Sequence, residues 1–376
     1  MSMADTSLPD PTQADGAPHP RETAGLFGQS AAESAFLSAY AAGRLHSGWL
    51  LTGPRGIGKA TLAYRIATCL LAEPGAGGGL FGAPPAPQTL DIPPDHPDAR
   101  LVRAGSHPRL FVLRRGPNDK GDRLSAQITV DRARELRHFF QLSATDGGRR
   151  VVIIDAADDL NISAANAILK LLEEPPARTL LLLVSHQPTG LLSTIRSRCR
   201  DLRLAALNGT DLGHALAAAG VASPSPDALA TLAAGSVGAA IRLAQGDGLA
   251  QYADLVRLCA TLPRLDRQLA LKLAEACAGR GAEARFDLTL DLIDILLSRA
   301  ARTGLLGEPA VQGAPGEALL LARLAPDDQA ARRWAALQQE ISARARAGRA
   351  VNLDPAALIL DMLWRIEATA RHAAAA

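Results

Sequence analysis

The feature that most constrains how this chain can fold is a glycine-rich string from Gly53 to Thr61, with the sequence GPRGIGKAT. A short apolar run from Trp49 to Thr52 precedes it, and a stretch with apolar residues at helical spacing follows it. A strand that enters a glycine-rich turn and continues as a helix is the context that a phosphate-binding P-loop requires. The glycines would let backbone N–H groups surround phosphate oxygens, and the lysine of the string would reach the β- and γ-phosphates. The residues expected to contact a nucleotide are Gly53, Gly56, Gly58, Lys59 and Thr61.

One position of this loop departs from the P-loop pattern. The residue after the lysine normally offers a hydroxyl to Mg²⁺, and here it is Ala60. Thr61 lies one residue further along, rotated by about 100° around the helix, so it does not simply replace the missing hydroxyl. The sequence predicts the P-loop architecture but leaves two alternatives open. One is a site that holds ATP with Mg²⁺, and the other is a tight strand-to-helix turn that has lost its ligand.

A second motif is a run of four apolar residues, 151–154, that leads into Asp155. Such a Walker B strand places its terminal carboxylate where it can orient Mg²⁺ or a metal-bound water. In hydrolysing members of this broad class a glutamate usually follows, whereas here Ala156 stands at that position and cannot accept a proton. A buried strand that ends in a capping aspartate stays an alternative. We expect Asp158 and Asp159 to cap the following helix rather than to replace the glutamate.

A third motif, Ser197-Arg198-Cys199, precedes the last predicted strand. Arginine suits recognition of a phosphate in a neighbouring subunit because its planar guanidinium is always charged and can bind bidentately. An arginine finger supplied in trans stabilises transition-state charge during phosphoryl transfer. The alternative is that Arg196, Arg198 and Arg200 form the solvated face of an extended segment. Three residues alone do not decide between these interpretations.

Strand and helix patterns alternate through residues 49–204 and then give way to helices alone. Strands are predicted at 49–52, 110–113, 150–154, 179–184 and 201–204, and helices at 29–42, 130–141, 162–173, 286–301 and 327–346. Alternation of this kind predicts an α/β fold with a parallel sheet covered on both faces. A Gly- and Pro-rich segment, 74–98, is predicted to be an irregular insertion.

The same pattern predicts the order of domains. A P-loop domain is followed by a small helical lid domain and then by a C-terminal helical bundle. The predicted ranges are a disordered tail at 1–20, the P-loop domain at 21–206, the lid at 207–247 and the bundle at 248–376, which we expect to serve oligomerisation.

Composition limits the location and the partners of the chain. Hydrophobic residues make up 48% and charged residues 21%, as in soluble globular proteins. The formal net charge of +2 predicts no broad basic face, so contact with nucleic acid would be local or shared with partners. The longest aliphatic run, Leu180–Val184, is too short to cross a bilayer. Cys69, Cys199, Cys259 and Cys277 form no CxxC pair, which favours a reduced cytoplasmic protein without disulfides or a zinc knuckle.

Further motifs surround these three in a fixed order. They are Leu26–Gln29 (LFGQ), Gly48–Gly53 (GWLLTG), Asn166–Pro176 (NAILKLLEEPP), Ser185–Pro188 (SHQP) and Ile195–Arg200 (IRSRCR). Together they closely resemble the AAA+ domain of the bacterial clamp-loader subunits of DNA polymerase III, over roughly residues 25–245. The C-terminal bundle is similar to that family in character only.

The resemblance implies a role for each motif. Arg198 occupies the family's arginine-finger position and inherits that role toward a neighbour's nucleotide. The hydrolysing gamma/tau subunit would carry a hydroxyl in place of Ala60, a glutamate in place of Ala156 and a sensor arginine where this chain has Gly238. The resemblance therefore implies a subunit without intrinsic ATPase activity. Residues 70–110 contain no cysteine, so the four-cysteine zinc module of many members is missing and no zinc or other metal site is expected.

The implied partners are the gamma/tau and delta subunits, with the sliding clamp and primed DNA contacted through the complex and no membrane. The main rival interpretation is a self-contained AAA+ ATPase, either gamma/tau-like or a remodeller, that hydrolyses ATP at Lys59 and Asp155. Ala60, Ala156 and Gly238 argue against it. A simple DNA-binding module is disfavoured by the nearly neutral charge.

Overall fold

A computed structural model gives the fold of the chain and describes residues 8, 10–14, 16–23, 25–73, 87–118, 120–142, 148–223, 225–279 and 281–375. The chain forms two compact units. The first is drawn from Met1–Leu207, His214–Gly220 and Ser236–Gly238, and the second from Asn208–Gly213, Val221–Gly235 and Ala239–Ala376.

The first unit contains a five-stranded parallel sheet. Its strands are β1 (Gly48–Thr52), β2 (Leu110–Leu113), β3 (Arg150–Asp155), β4 (Thr179–Ser185) and β5 (Arg200–Arg203), in the spatial order β2-β3-β4-β1-β5. β1 and β4 are buried along their whole length, as expected of central parallel strands covered on both faces. The predicted parallel α/β sheet is confirmed, and each observed strand end lies within one residue of its prediction.

Helices of the first unit connect these strands. They are α1 (Ser30–Ala41), α2 (Lys59–Leu71), α3 (Pro97–Ala104), α4 (Val130–Leu142), α5 (Ile162–Glu173) and the single turn α6 (Ser193–Arg196). α4 and α5 pack on the sheet in one cluster in which Leu136, Val152, Ile168, Leu181 and Leu183 have no exposed side-chain surface. This burial explains why the sequence predicted α5 correctly from its apolar periodicity and from the prolines that follow it.

Two segments predicted to be irregular contain local structure. Of the insertion at 74–98, residues 74–86 lie outside the described ones, and α3 begins at Pro97 with His96 as its N-cap. Of the tail predicted to be disordered at 1–20, residues 1–7, 9 and 15 lie outside the described ones. The described remainder forms turns in which Asp10 pairs with Arg114 and His19 is buried. Composition did not reveal the ion pair of Asp10, because Arg114 lies far along the chain.

The second unit is helical. Its described helices, including two that the unit boundaries cross, are α7 (Gly209–Ala218), α8 (Pro226–Leu232), α9 (Val237–Gln245), α10 (Gly248–Ala260), α11 (Arg267–Glu275), α12 (Glu283–Leu306), α13 (Glu317–Leu324), α14 (Asp328–Ala350) and α15 (Pro355–Ala375). α12 and α14 are longer than their predicted cores at 286–301 and 327–346. The separate lid at 207–247 stays a prediction, since most of it shares a compact unit with the later helices.

A buried carboxylate joins three of these helices. Glu317, with no exposed surface, accepts hydrogen bonds from the Tyr252 hydroxyl on α10 and from Arg299 Nε on α12, both at 2.5 Å. Its other oxygen accepts from Arg299 Nη2 at 3.0 Å and from the Gly313 backbone N–H at 2.5 Å. Four donors satisfy both oxygens, so this charge is compensated despite its burial.

No single described helix is long and apolar enough to span a bilayer. α8 and α9 satisfy the length and composition criteria only as a pair, and that pair is bent by 113°.

Candidate functional site

The glycine-rich string forms the strand-to-helix loop that the sequence predicted. β1 ends at Thr52 and α2 begins at Lys59. The N-cap residue, Gly58, has no side chain to accept a hydrogen bond, and it adopts a left-handed conformation with φ of 99°. Gly56 has φ of 78°. Only glycine adopts such angles without steric cost, so the sequence pattern and the backbone geometry agree at this loop.

Lys59 turns back onto its own loop. Its Nζ donates to the carbonyl oxygen of Gly53 at 2.6 Å and to that of Pro54, and its side chain is 3% exposed. Burial lowers the pKa of Lys59 to about 8, although the nearby Asp155 acts in the opposite direction. In this arrangement the lysine ammonium donates to two carbonyl oxygens of its own loop.

The acidic residue of the Walker B strand lies close to the loop. Asp155 ends β3 and pairs in register with Val184 of β4. The next residue of β4, Ser185, pairs in register with Thr52, the last residue of β1 before the loop. Burial raises the pKa of Asp155 to about 7 against the opposing charge of Lys59.

These residues fit a phosphate better than they fit Mg²⁺. The loop glycines and Lys59 have the types needed to surround an anion, whereas Ala60 offers no hydroxyl and Thr61 is buried at 8% exposure. Ala156, in the position of the water-activating glutamate, is also buried. Among the residues described, no group of three or more acidic, histidine or cysteine side chains is placed to hold a metal. The expected absence of zinc stays a prediction.

The predicted sensor position also lies beside the loop. The Val237 N–H donates to the Gly56 carbonyl at 2.8 Å, and a Cβ added to Gly56 would lie 3.4 Å from the Gly238 nitrogen. Gly238 is therefore next to the P-loop, where the resemblance places a sensor arginine, and it brings no side chain there.

The expectation that Asp158 and Asp159 cap the following helix is wrong. Asn161 is the N-cap of α5, since its side chain accepts from the Ala164 N–H at 2.8 Å. The Asp158 carboxylate instead accepts from the Ser185 hydroxyl at 2.8 Å and from the backbone N–H groups of His186 and Gln187. Asp159 forms an ion pair with Arg115 at 3.1 Å. The sheet brings the end of β4 within reach of Asp158, and these long-range donors compete successfully with a local cap.

His186 was quoted in the sequence only as part of a motif, and the structure places it near the loop. Burial, together with the charges of Lys59 and Arg55, lowers its pKa to about 4. Its Nδ1 is buried and has no hydrogen-bond partner within the described part of the chain. The imidazole is therefore neutral at physiological pH and adds no charge to the loop. The sequence signal for His186 was its position directly after β4, the strand that pairs with the Walker B strand β3.

Arg198 lies at the opposite edge of the sheet from the P-loop. It precedes β5, and a Cβ added to Gly48, the first residue of β1, would lie 3.3 Å from the Arg198 carbonyl oxygen. The P-loop leaves the other end of β1, after Thr52. At about 3.3 Å per strand residue the two ends of β1 are separated by about 13 Å.

The guanidinium of Arg198 has partners within its own chain. Nη1 donates to the Thr194 carbonyl at 3.1 Å, and Nη2 lies 2.9 Å from a carboxylate oxygen of Glu173. Both side chains are partly exposed, 39% for Arg198 and 42% for Glu173. The pair borders an open cleft whose other lining residues are His46, Ser47, Leu172, Pro175 and Ser197.

The structure thus brings together Gly53, Gly56, Gly58, Lys59 and Asp155 and keeps Arg198 apart from them. A parallel sheet with a P-loop after β1 and an acidic residue at the end of β3 defines a P-loop domain of the AAA+ type.

Comparison with known proteins narrows this class. The sequence model of the family described as "DNA polymerase III, delta subunit" matches residues 28–208. A DNA polymerase III subunit delta' from Pseudomonas aeruginosa is 44% identical over 151 residues, which are 40% of this chain and 40% of that protein. Subunit delta' from Escherichia coli is 34% identical over 220 residues, 56% of this chain and 58% of that protein. Subunit tau from Salmonella typhimurium is 30% identical over 197 residues, 52% of this chain and 27% of that protein.

Residues 28–208 are similar to DNA polymerase III delta' subunits, and this similarity confirms the resemblance predicted from the motifs of the AAA+ domain. The chain spans about half the length of the curated delta' relatives it matches.

Proposed function

We propose that the chain is the delta' subunit of a DNA polymerase III clamp loader and that it supplies Arg198 in trans to the ATP site of a neighbouring subunit. The observation that carries this proposal is the position of Arg198 at the edge of the sheet opposite to Lys59. An arginine finger must reach the γ-phosphate, and Arg198 lies about one strand length from its own loop. The same side chain is 39% exposed and borders an open cleft, so a second subunit can reach it.

The neighbour in this proposal is a gamma/tau subunit, and the delta subunit completes the complex. ATP bound in that neighbour would receive the planar guanidinium of Arg198, which can contact two phosphate oxygens at once. The assembled loader would act on a sliding clamp and on primed DNA in the cytoplasm. This chain contributes little to the DNA contact by itself, because its net charge is only +2.

The first test is ATP turnover by the purified chain, which we expect to equal background. Alanine occupies the positions of the Mg²⁺ hydroxyl and of the water-activating glutamate, residues 60 and 156. Turnover would be measured with and without Lys59→Ala. Activity well above background that disappears in Lys59→Ala would instead favour the self-contained ATPase; binding of ATP without turnover would not.

The second unit is assigned to subunit association. It holds the longest helices, and several large apolar side chains near the end of α12 and on α13 face solvent: Leu305 at 62%, Leu306 at 82% and Leu319 at 79% exposure. Isolated exposed leucines are common, but three of this exposure on adjoining elements favour an interface. Point substitutions test it better than truncation, because Leu232 and Tyr252 pack together on Gly313 and a cut after Asp247 would separate them.

We expect the double variant Leu306→Glu/Leu319→Glu to stay folded but to lose association with the gamma/tau and delta subunits by at least tenfold. The two charges add no cost to the isolated chain, since both sites are exposed, and they would be desolvated in an interface. Size-exclusion chromatography of the mixed subunits gives the readout. Ile162→Glu, at 75% exposure in the first unit, is the matched control. Normal assembly of the double variant would place the interface elsewhere.

A further inference from the structure

The ion pair between Arg198 and Glu173 bears directly on how the finger would work. Glu173 is the last residue of α5, and its carboxylate lies 2.9 Å from Arg198 Nη2. The guanidinium keeps its positive charge, but the pair with the carboxylate has no net charge. It therefore attracts a phosphate in another subunit less than an unpaired guanidinium does. The finger in this conformation is therefore partly neutralised.

We propose that Glu173 holds Arg198 in a resting position from which the phosphate of a neighbouring nucleotide displaces it. This inference rests on the proposed function, since it concerns the regulation of the same arginine. Glu173 then lowers the fraction of time that the guanidinium is available, and a triphosphate bound in the neighbour competes with it for Arg198.

The strength of the pair suits this role. Both partners are about two-fifths exposed, and exposed ion pairs contribute little because water and salt screen them. A pair of this kind shifts an equilibrium by about two- to fivefold. A phosphate dianion bound bidentately within an interface holds arginine more strongly than an exposed carboxylate does, so the exchange is favourable when a nucleotide is present.

Glu173 lies at the C-terminal end of α5, where the helix dipole favours a nearby cation such as Arg198. A carboxylate at a helix C-terminus is disfavoured by the helix dipole, whereas a cation there is favoured. Glu174, its neighbour, shares this position and is exposed, with no ion pair to an arginine, lysine or histidine among the described contacts. Glu173 and Glu174 thus form a matched pair, in which only the first contacts Arg198.

The experiment uses the assembled loader with its other ATP sites silenced by substitution of their own P-loop lysines. Glu173→Gln is expected to raise kcat at the remaining site, which Arg198 serves, by about two- to fivefold at low ionic strength. The increase should shrink at high salt, because the wild-type pair is then already screened. Glu174→Gln removes the same charge from the same helix end and should leave kcat unchanged.

The double variant Glu173→Gln/Arg198→Ala separates this inference from a structural effect of Glu173. If Glu173 acts through Arg198, the double variant must have the rate of Arg198→Ala alone. An unchanged or lower kcat in Glu173→Gln overturns the inference, and a lower value assigns Glu173 to positioning the finger instead. If Arg198→Ala by itself leaves kcat intact, the proposed function fails as well; if it lowers kcat while Glu173→Gln has no effect, only the inference fails.

Discussion

Replacing Arg198 with alanine is expected to lower ATP hydrolysis at one site of the assembled complex by roughly 10³-fold or more, which is the range for arginine fingers. The isolated chain should keep its stability, because Arg198 is partly exposed and its single ion pair with Glu173 is solvent-screened. Total ATP turnover by a complex with several sites would fall modestly, whereas clamp loading would fall further. Single-turnover ATP hydrolysis and thermal unfolding give the two measurements. Arg198→Lys should restore little activity, since an ammonium lacks the bidentate fork.

Arg196→Ala and Arg200→Ala are the controls, and the structure distinguishes them from Arg198. Arg196 is exposed, and Arg200 stacks over the Trp49 ring with its guanidinium carbon 5.1 Å from the ring centroid. Loss of that stacking should cost Arg200→Ala about 0.5–1 kcal/mol of stability without a change in turnover. Equal losses of turnover from all three variants, or no loss from Arg198→Ala, would instead favour the alternative that these arginines only form a solvated face.

Glu317→Ala is expected to lower the free energy of unfolding of the second unit by about 3–5 kcal/mol, the cost of breaking a buried ion pair. The substitution would leave the Arg299 guanidinium, 14% exposed, and the fully buried Tyr252 hydroxyl without their shared acceptor. The Gly313 N–H would lose its partner too. Denaturant unfolding followed by circular dichroism measures the loss.

Two variants show whether the buried charge causes this loss. Tyr252→Phe removes one hydrogen bond to Glu317 and should cost about 1 kcal/mol. Glu317→Gln keeps an acceptor oxygen but no charge for Arg299, so its loss should lie between the other two. Since the same network joins α10, α12 and α13, Glu317→Ala should also weaken assembly through the surface at Leu306 and Leu319. A loss below about 1 kcal/mol in Glu317→Ala would mean that Arg299 finds water or another acceptor.

Strands β1 to β4 were predictable because each contains a short apolar run. β5 has the sequence RDLR and buries only Leu202. β1 and β4 are buried along their whole length, so their sequences consist mainly of apolar residues. α5 was placed correctly by its apolar period and by the two prolines that follow it. α3 was missed because Pro97–Ala104 is short and rich in charge, and its amphipathic pattern lies next to a Gly- and Pro-rich segment.

The sequence by itself determined the P-loop, the acidic end of β3 and the absence of a polar side chain at Ala60, Ala156 and Gly238, because these are properties of residue type at fixed spacing. The tertiary structure alone decided which residues meet. In the folded chain Asp158 accepts a hydrogen bond from Ser185 at the end of β4 instead of capping a helix. Lys59 donates to a carbonyl of its own loop, and Arg198 pairs with Glu173. The physical reason is that a parallel sheet aligns the carboxyl ends of distant strands at one edge and their amino ends at the other. Arg198 and Lys59 lie at opposite edges for that reason, and no local pattern in the sequence contains this information.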